Sequence, residues 1–412
     1  MFSPAFIPNT SYRLDTVLIY LIIPFLLIYN KRLKFLNVNK PIVISVSIFV
    51  SSVLIALILQ IFFIPETSIK LHVFNFAGFL RMLLFSLLAF FTITTFNRAL
   101  IITKIFLVCT IIQSVILIAQ YAQVYPFSNF ISWFYNNSNN DTNVYRAVGS
   151  FNAVHSAAYY FLYFFLFSLT IYLGYEHKKI KNLALIAVCF SFIGLVLPVS
   201  KGAYLALFVS LTYLILVRKA VGVFIKSIIF LTFFLIFSVS LIPPKKIDYF
   251  QNQFIELYEG VKWVLFSADS STYDQMGFIA GRLDHGWKNS IENWLAYPLF
   301  GNIEASSEVF IGDGGYTEIL SNSGLIGLFG FLLMLFIVYK RNFFFKSKKN
   351  DIQSISSYGI KSIVLAVLIA SVATGFLKQR TVELLPVMFI TLVSLSLQPR
   401  EFNIVKCKIN NY

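Results

Sequence analysis

The chain contains 412 residues, of which 58% are hydrophobic and only 12% are charged, and its mean hydropathy is +0.77. A soluble domain is about 25% charged, so this composition excludes a water-soluble globular protein and predicts a membrane protein. The net charge of +15, taken alone, suggests a nucleic-acid partner. Cys109, Cys189 and Cys407 are far apart in sequence, so we expect neither a disulfide framework nor a cysteine metal site.

Eleven apolar segments predict an all-α fold, a polytopic bundle of transmembrane helices that forms one integral-membrane domain over residues 1–412. A transmembrane helix needs about 20 mostly apolar residues, and the first segment is short and contains Pro24. Residues 183–217 are too long for one span, and the Pro198–Gly202 segment predicts a tight hairpin that divides them. Arg13 and Asp15 interrupt the amino-terminal region, so we expect no cleavable signal peptide. The predicted spans are 16–30, 41–64, 73–96, 99–121, 152–175, 183–199, 202–217, 221–243, 315–339, 357–377 and 382–398.

Lysine and arginine are concentrated in alternate loops between these spans. The loops on one side contain 20 of the 33 basic residues and three of the 18 acidic residues, whereas the other side contains 11 basic and 15 acidic residues. Because cytoplasmic loops are enriched in Lys and Arg, we expect the basic side, with the carboxyl terminus, to face the cytoplasm. Most of the positive charge therefore predicts topology, and we expect no nucleic-acid partner. The remaining basic residues, Arg81 and Lys361, lie inside predicted spans.

Two loops on the less basic side, 122–150 and 244–313, are much longer than the others. Such a loop is usually functional or disordered. In the second loop, apolar residues recur every three or four positions from Ile247 to Leu265, which predicts an amphipathic helix on the membrane surface or packed on the bundle. A second apolar stripe consists of Ile279, Leu283, Trp287, Ile291 and Leu295, and its polar side carries Arg282, His285, Asn289 and Glu292.

Charged residues in or beside spans are candidates for chemistry, because such residues usually line a cavity or form pairs. Several cations near one membrane face would bind a diphosphate, and the planar guanidinium of Arg binds phosphate oxygens through two hydrogen bonds. The candidates at the less basic side are Arg146, Lys201, Arg282, Asp313, Glu318, Arg380 and Glu383, with Arg81 in mid-span.

Most of these charges also have a purely structural interpretation. Arg146 could end a span at the interface, Lys201 could be a turn residue whose ammonium reaches water, and Arg282 could be a solvated charge on an amphipathic helix. Arg380 and Glu383, three residues apart, could pair with each other. Arg81 needs a partner, which we expect within the bundle.

Four groups of motifs over residues 146–328 resemble segments of bacterial O-antigen polymerases and ligases. Tyr145–Asn152 is similar to their R-x-x-G-(S/T)-F segment, and Pro198–Ala203 is similar to their S-(R/K)-G turn. Arg282–Trp287, followed by Pro-Leu-Phe-Gly at 298–301, resembles R…W…P-L-F-G. Asp313–Leu320, followed by Gly324–Leu328, resembles D-x-G-Y…L…G-L-I-G-L. The order and spacing of the motifs carry the resemblance, whereas the rest of the chain matches only in hydropathy and span number.

The resemblance implies a multi-pass glycosyltransferase of the bacterial inner membrane that acts at the periplasmic face and uses lipid-linked sugar donors. A polymerase joins undecaprenyl-diphosphate-linked oligosaccharide repeat units into O-antigen or capsular polysaccharide, whereas a ligase transfers the finished polymer to the lipid A core. Ligases usually carry H-N where this chain has Asp313-Gly314, which favours a polymerase. The resemblance implies no cofactor and no metal. The expected partners are the lipid-linked oligosaccharide and the bilayer and, by analogy, a chain-length regulator and a flippase.

The resemblance also suggests roles for individual residues. Arg146 and Arg282 are expected to stabilise the negative charge that develops on the leaving diphosphate, with help from Lys201. Asp313 is the first candidate for the base that takes the proton of the acceptor hydroxyl, and Glu318 and His155 are the alternatives. Tyr316 is expected to bind sugar, and Arg380 completes the set of substrate-binding candidates.

Other classes of membrane protein fit the sequence less well. A transporter or flippase of lipid-linked sugars also needs many spans and buried cations, but such proteins typically show repeat symmetry between their halves, and no repeat is visible here. A channel is disfavoured because no Gly-rich filter or charged ring stands out. The peptidoglycan polymerases of the shape and division machinery use similar donors, but their loop motifs are not found in this chain.

Overall fold

The computed structural model describes residues 39–64, 68–122, 151, 154–175, 177–218, 252, 255, 287–303, 314–340, 351–373 and 380–397. Throughout these residues the regular structure is helical, with no strand, so the prediction of an all-α fold is confirmed for this part of the chain. The helices are α1 Lys40–Phe63, α2 Ile69–Thr92, α3 Phe96–Tyr121, α4 Val154–Gly174, α5 Lys178–Val196, α6 Lys201–Arg218, α7 Lys288–Ala296, α8 Gly315–Lys340, α9 Asp351–Ala373, α10 Arg380–Glu383 and α11 Leu385–Ser396.

Seven of these helices, α1 to α5, α8 and α9, are long and apolar enough to cross a membrane. They correspond to seven of the predicted spans. Two further predicted spans, 202–217 and 382–398, form the shorter apolar helices α6 and α11. The predicted spans 16–30 and 221–243 lie outside the described residues, as does nearly all of the predicted surface helix at 247–265. The chain is therefore a polytopic membrane protein by the length and composition of its helices.

Contacts between helix ends show that the spans alternate in direction. Asn39, before α1, donates from Nδ2 to Ser394 Oγ at the end of α11, over 3.0 Å. Phe96 at the start of α3 stacks on Tyr175 after α4, with ring centroids 6.4 Å apart. The Lys361 ammonium on α9 lies 5.4 Å from the ring centroid of Tyr339 at the end of α8. We call this end of the bundle the basic end, because it carries Lys40, Arg98, Lys178, Lys181 and Lys340.

Helix α4 forms the centre of the bundle. All of its side chains from Ser156 to Ile171 are buried, because the sequence is apolar and aromatic on every face of the helix. The helix packs mainly on α5 and α9, and Gly194 of α5 lies directly against the ring of Phe161. Helices α1 and α3 instead expose Ile and Val along one face, as expected for helices that contact lipid.

The turn between α5 and α6 is shorter and more strained than an ordinary loop. Four residues, 197–200, separate the helices, and Val199 has a φ of +51°, which a β-branched residue rarely adopts. The Tyr204 hydroxyl donates to Val196 O over 2.8 Å and ties the start of α6 to the end of α5. The predicted break within residues 183–217 is present, but the helices do not form the predicted tight hairpin, because they diverge after the turn and α6 packs mainly on α9.

A buried ion pair joins α2 to the short helix α10. Arg81 Nε lies 3.1 Å from Glu383 Oε1, and the side chains are 18% and 9% exposed. The expectation that Arg81 has a partner within the bundle is confirmed. The interpretation in which Glu383 pairs only with Arg380 is wrong, because α10 packs on α2 and turns Glu383 towards that helix. The pair cancels two charges that would be costly to bury separately.

We predict that this ion pair is energetically coupled. Arg81→Met and Glu383→Gln should each destabilise the protein by about 2 kcal/mol or more, because each leaves a buried charge without its counter-ion. The double variant should show a coupling energy of about 1 kcal/mol or more in a double-mutant cycle, measured by unfolding of the purified protein in detergent.

The exposed pair Lys288–Glu292, with 4.0 Å between Nζ and Oε1 and side chains 65% and 61% exposed, provides the matched control. Its cycle should give less than about 0.5 kcal/mol, because water screens exposed charges. Strictly additive effects at Arg81 and Glu383 would contradict the prediction.

Candidate active site at the end opposite the basic end

Helix α8 is broken near the end of the bundle that lies opposite the basic end, which we call the site end. Gly324 has φ +59° and ψ −159°, a conformation essentially restricted to glycine. The break brings the ring of Tyr316 to 6.3 Å from that of Phe331. In a straight helix these residues would be about 22 Å apart along the axis. Helix α8 therefore consists of two segments that meet at a sharp bend.

A loop before α8, residues 298–303, fills this break and satisfies its backbone groups. Leu325 N donates to Pro298 O over 2.9 Å and Ile326 N donates to Leu299 O over 3.1 Å. In the opposite direction, Asn302 N donates to Ser321 O over 2.8 Å. A broken helix leaves unpaired N–H and C=O groups at both new ends, and the loop pairs groups on both sides of the break.

The close approach of the loop to α8 requires glycine at two positions. Gly301 has φ +71°, and a Cβ atom there would meet the Ser321 carbonyl oxygen at 2.5 Å. A Cβ atom at Gly324 would overlap the backbone of Leu299. The Pro-Leu-Phe-Gly segment at 298–301 and the Gly324–Leu328 segment are thus two halves of one interlocked structure.

Gln60, buried at the end of α1, holds the loop and the break together. Its Nε2 donates to Phe300 O over 2.5 Å and to Asn322 O over 2.7 Å. Its Oε1 accepts from Ile303 N over 3.2 Å and lies 3.1 Å from His72 Nε2. One amide group therefore connects α1, α2, the loop and α8, and it has no exposure to solvent.

Helix α7 packs on this structure through its polar face. Asn293 Nδ2 donates to Asn302 O over 3.0 Å and to Ser321 Oγ over 2.5 Å, and Ser290 is fully buried. The apolar residues Ile291 and Leu295, which belong to the predicted stripe, are 41% and 61% exposed. The helix thus turns its apolar face away from the protein, as a helix in contact with lipid does.

Trp287 connects two of the motif regions. Its indole Nε1 lies 3.1 Å from the position that a Cβ atom would take on Gly314. The indole nitrogen is buried and has no hydrogen-bond partner among the described residues. The segment that follows Arg282 therefore meets the segment that follows Asp313, although Trp287 and Gly314 are 27 positions apart in sequence.

Two predicted site residues lie in the first segment of α8. Glu318 is 6% exposed, and its backbone N donates to Gly314 O over 2.8 Å. The Tyr316 hydroxyl donates to Leu368 O on α9 over 2.9 Å. This bond holds α8 against α9. If Tyr316 binds sugar as predicted, the sugar must contact the face of its ring, or the hydroxyl must leave Leu368 O and bond to the sugar instead.

Two other predicted residues begin helices at the same end of the bundle. Lys201 is the first residue of α6 and follows the strained Val199 and the buried Ser200, and its side chain is partly exposed. His155 is the second residue of α4 and is partly exposed. Phe151, which ends the Tyr145–Phe151 motif, is buried with its ring centroid 5.0 Å from that of Tyr160.

Arg146, Arg282 and Asp313, the three predicted catalytic residues, lie outside the described residues, and their roles stay predictions. Arg380 begins α10, but its side chain is likewise not described. Among the described residues, no group of three His, Cys, Asp or Glu side chains is arranged to hold a metal ion. The structure brings the described parts of the motifs to one end of the bundle.

The residues that build this end are not among the predicted site residues. Gln60, His72 and Asn293 carry no motif, although a glutamine and a histidine at the ends of apolar spans are a usable signal. Gly301 and Gly324 belong to the motifs, but the motifs do not indicate their positive φ. No protein-family model matches the chain, and no curated protein sequence matches it.

We predict that Gly301→Ala and Gly324→Ala destabilise the protein by more than about 2 kcal/mol, because each adds a Cβ atom to a positive-φ position in contact with backbone. Gly78→Ala in α2 is the matched control, since the nearest atom to its Cβ position is Arg81 Nη2 at 3.9 Å. That variant should be neutral or stabilising by about 1 kcal/mol or less. Thermal unfolding in detergent measures both effects, and equal melting temperatures for all three variants would refute the interlocked arrangement.

Proposed function

We propose that the chain is a membrane-embedded glycosyltransferase of the O-antigen polymerase type. The observation that supports this most directly is the interlock between Pro298–Gly301 and Gly324–Leu328, two segments of the resemblance that bond to each other through their backbones. Trp287 against Gly314 adds a second junction between motif segments. Residues that carry the resemblance thus form one structural unit, which is what a shared site requires.

In the proposed reaction, the hydroxyl oxygen of an acceptor sugar attacks the anomeric carbon of a sugar linked to undecaprenyl diphosphate. The bond between the anomeric carbon and the diphosphate oxygen breaks, and the diphosphate leaves with the bonding electrons. Arg146 and Arg282, assisted by Lys201, stabilise the developing negative charge. Asp313 accepts the hydroxyl proton, and Glu318 and His155 are the alternative bases. The polymer grows by one repeat unit in each reaction.

The site end is proposed to face the periplasm. It lies opposite the end that carries Lys40, Arg98, Lys178, Lys181 and Lys340, and Lys and Arg mark the cytoplasmic side of membrane proteins. The predicted loops 122–150 and 244–313 then lie on the periplasmic side, where lipid-linked repeat units are polymerised. A span count of about 11 belongs to the same proposal.

A deletion strain tests the proposed reaction. Loss of the gene should leave single repeat units on the lipid carrier and abolish long chains. Normal chain length without attachment to the lipid A core would instead indicate a ligase. Absence of lipid-linked units from the periplasmic face would indicate a flippase. Gel analysis of the polysaccharide and of extracted lipid-linked intermediates separates polymerase from ligase, and labelling of lipid-linked sugars on intact spheroplasts with an impermeant reagent identifies a flippase.

Substitutions in the same strain test the site. Arg146→Ala and Arg282→Ala should each lower polymer formation by about 100-fold or more, because each removes a cation that stabilises the leaving group. Arg98→Ala is the control, since Arg98 is exposed at the basic end and donates to Thr92 O. Full-length polymer from normally expressed Arg146 and Arg282 variants would show that the assigned site is wrong.

The orientation has a separate test by chemical labelling. Lys288→Cys, on the exposed side of α7, should react with a membrane-impermeant maleimide applied to spheroplasts. Lys178→Cys, exposed at the basic end, should react only after the membrane is opened. Labelling is scored against a background in which the native cysteines are replaced by serine. The reverse pattern would overturn the orientation without affecting the interlock described above.

A further inference from the structure

Three helices converge on a partly buried lysine at the basic end of the bundle. Lys361 lies within the apolar part of α9, which runs from Ile355 to Val372, and its side chain is only partly exposed. Its ammonium lies over the ring of Tyr339 on α8, 5.4 Å from the ring centroid. In the described part of the chain, no carboxylate lies within ion-pair distance of Lys361.

Two further tyrosines lie near Tyr339, the residue whose ring the Lys361 ammonium contacts. The Tyr213 hydroxyl, on α6, is in contact with that of Tyr339 and close to that of Tyr358 on α9. Lys340, the last residue of α8, follows Tyr339 directly and lies over the ring of Phe336, 5.1 Å from its centroid. The cluster therefore offers an ammonium group and phenolic O–H donors from α6, α8 and α9.

This chemistry suits a phosphate group. Ammonium and phenol groups are hydrogen-bond donors. A phosphate diester supplies acceptor oxygens for these donors, and its negative charge would be the counter-ion of Lys361. An aromatic ring stabilises a cation only in part, so the burial of this ammonium is better compensated by an anion. Basic pockets between transmembrane helices at the positively charged side of a membrane bind the headgroups of anionic phospholipids.

We propose that the cluster of Lys361, Tyr339, Tyr213 and Tyr358, with Lys340 at its rim, binds the phosphate headgroup of an anionic phospholipid of the adjacent leaflet. The site lies at the opposite end of the bundle from the candidate active site and does not depend on the proposed reaction. The acyl chains of the bound phospholipid would lie along the apolar surfaces of α6, α8 and α9. Bound lipid would hold the ends of these three helices together.

The chain itself offers a matched control. Lys181 on α5 also lies over a tyrosine ring at the basic end, with its ammonium 5.5 Å from the centroid of Tyr172. Unlike Lys361, it is exposed to solvent. The two lysines therefore share their charge, their aromatic contact and their end of the bundle, and they differ in burial and in the further tyrosines beside the ring that each contacts.

The test compares Lys361→Gln with Lys181→Gln in the full-length protein, reconstituted in nanodiscs of phosphatidylcholine with increasing phosphatidylglycerol. In the wild type and in Lys181→Gln, phosphatidylglycerol should raise the melting temperature and remain bound in native mass spectrometry. In Lys361→Gln, the apparent affinity should fall by about fivefold or more, as expected for loss of one lysine near a membrane surface. Equal retention in the wild type and Lys361→Gln would overturn the proposal, as would an equal loss in Lys181→Gln.

Two further measurements keep the test informative. Tyr339→Phe retains the aromatic ring but removes the hydroxyl, and it should weaken lipid retention, whereas Tyr172→Phe should not. If Lys361→Gln does not fold, Lys361→Arg should fold and retain lipid, and Tyr339→Phe then decides the case. Inorganic phosphate at matched concentration should not raise the melting temperature. Stabilisation by phosphate alone would assign the site to a soluble anion and overturn the lipid assignment.

Discussion

The need to pair every backbone N–H and C=O group within an apolar environment governs this structure. Helices satisfy the requirement internally, which is why the described part of the chain is helical. The break at Gly324 in α8 would violate it, because the break frees backbone groups on both sides. The 298–303 loop and the Gln60 side chain supply the missing partners. The non-helical backbone is tolerated because its polar groups bond to each other across the break and to Gln60, and such places commonly line functional sites.

The same constraint explains why the motifs lie together. The Pro-Leu-Phe-Gly segment is needed where it is because its carbonyl groups accept from Leu325 and Ile326. Gly301 and Gly324 are needed because the two backbones touch. Helix α7 follows from the loop, since Asn293 bonds to Asn302 and Ser321 and so turns the polar face of the helix inward. The proposed chemistry would thus take place beside a rigid, interlocked scaffold, which is what positioning of a reactive diphosphate requires.

Most basic residues of the described helices are either exposed at the basic end or placed inside spans. The exposed lysines and arginines of the basic end account for topology. Two basic residues within the described spans have specific surroundings: Arg81 faces Glu383, and Lys361 faces tyrosine. The first pair is internally neutral and joins α2 to α10. The second carries a net positive charge over a tyrosine ring, and this difference motivates the proposal of an anionic lipid there.

The sequence by itself determined the fold class, the position of the described spans and their alternation, because hydropathy and turn residues act locally along the chain. It also indicated that Arg81 needs a partner. It did not identify Glu383 as that partner, and it gave no sign that α8 bends at Gly324, because an isolated glycine in an apolar run is compatible with a straight span. The hydrogen bonds of Gln60 reach residues about 240 and 260 positions away. Only the tertiary structure decided these features, because the partners that satisfy a buried polar group or a broken helix are distant in sequence.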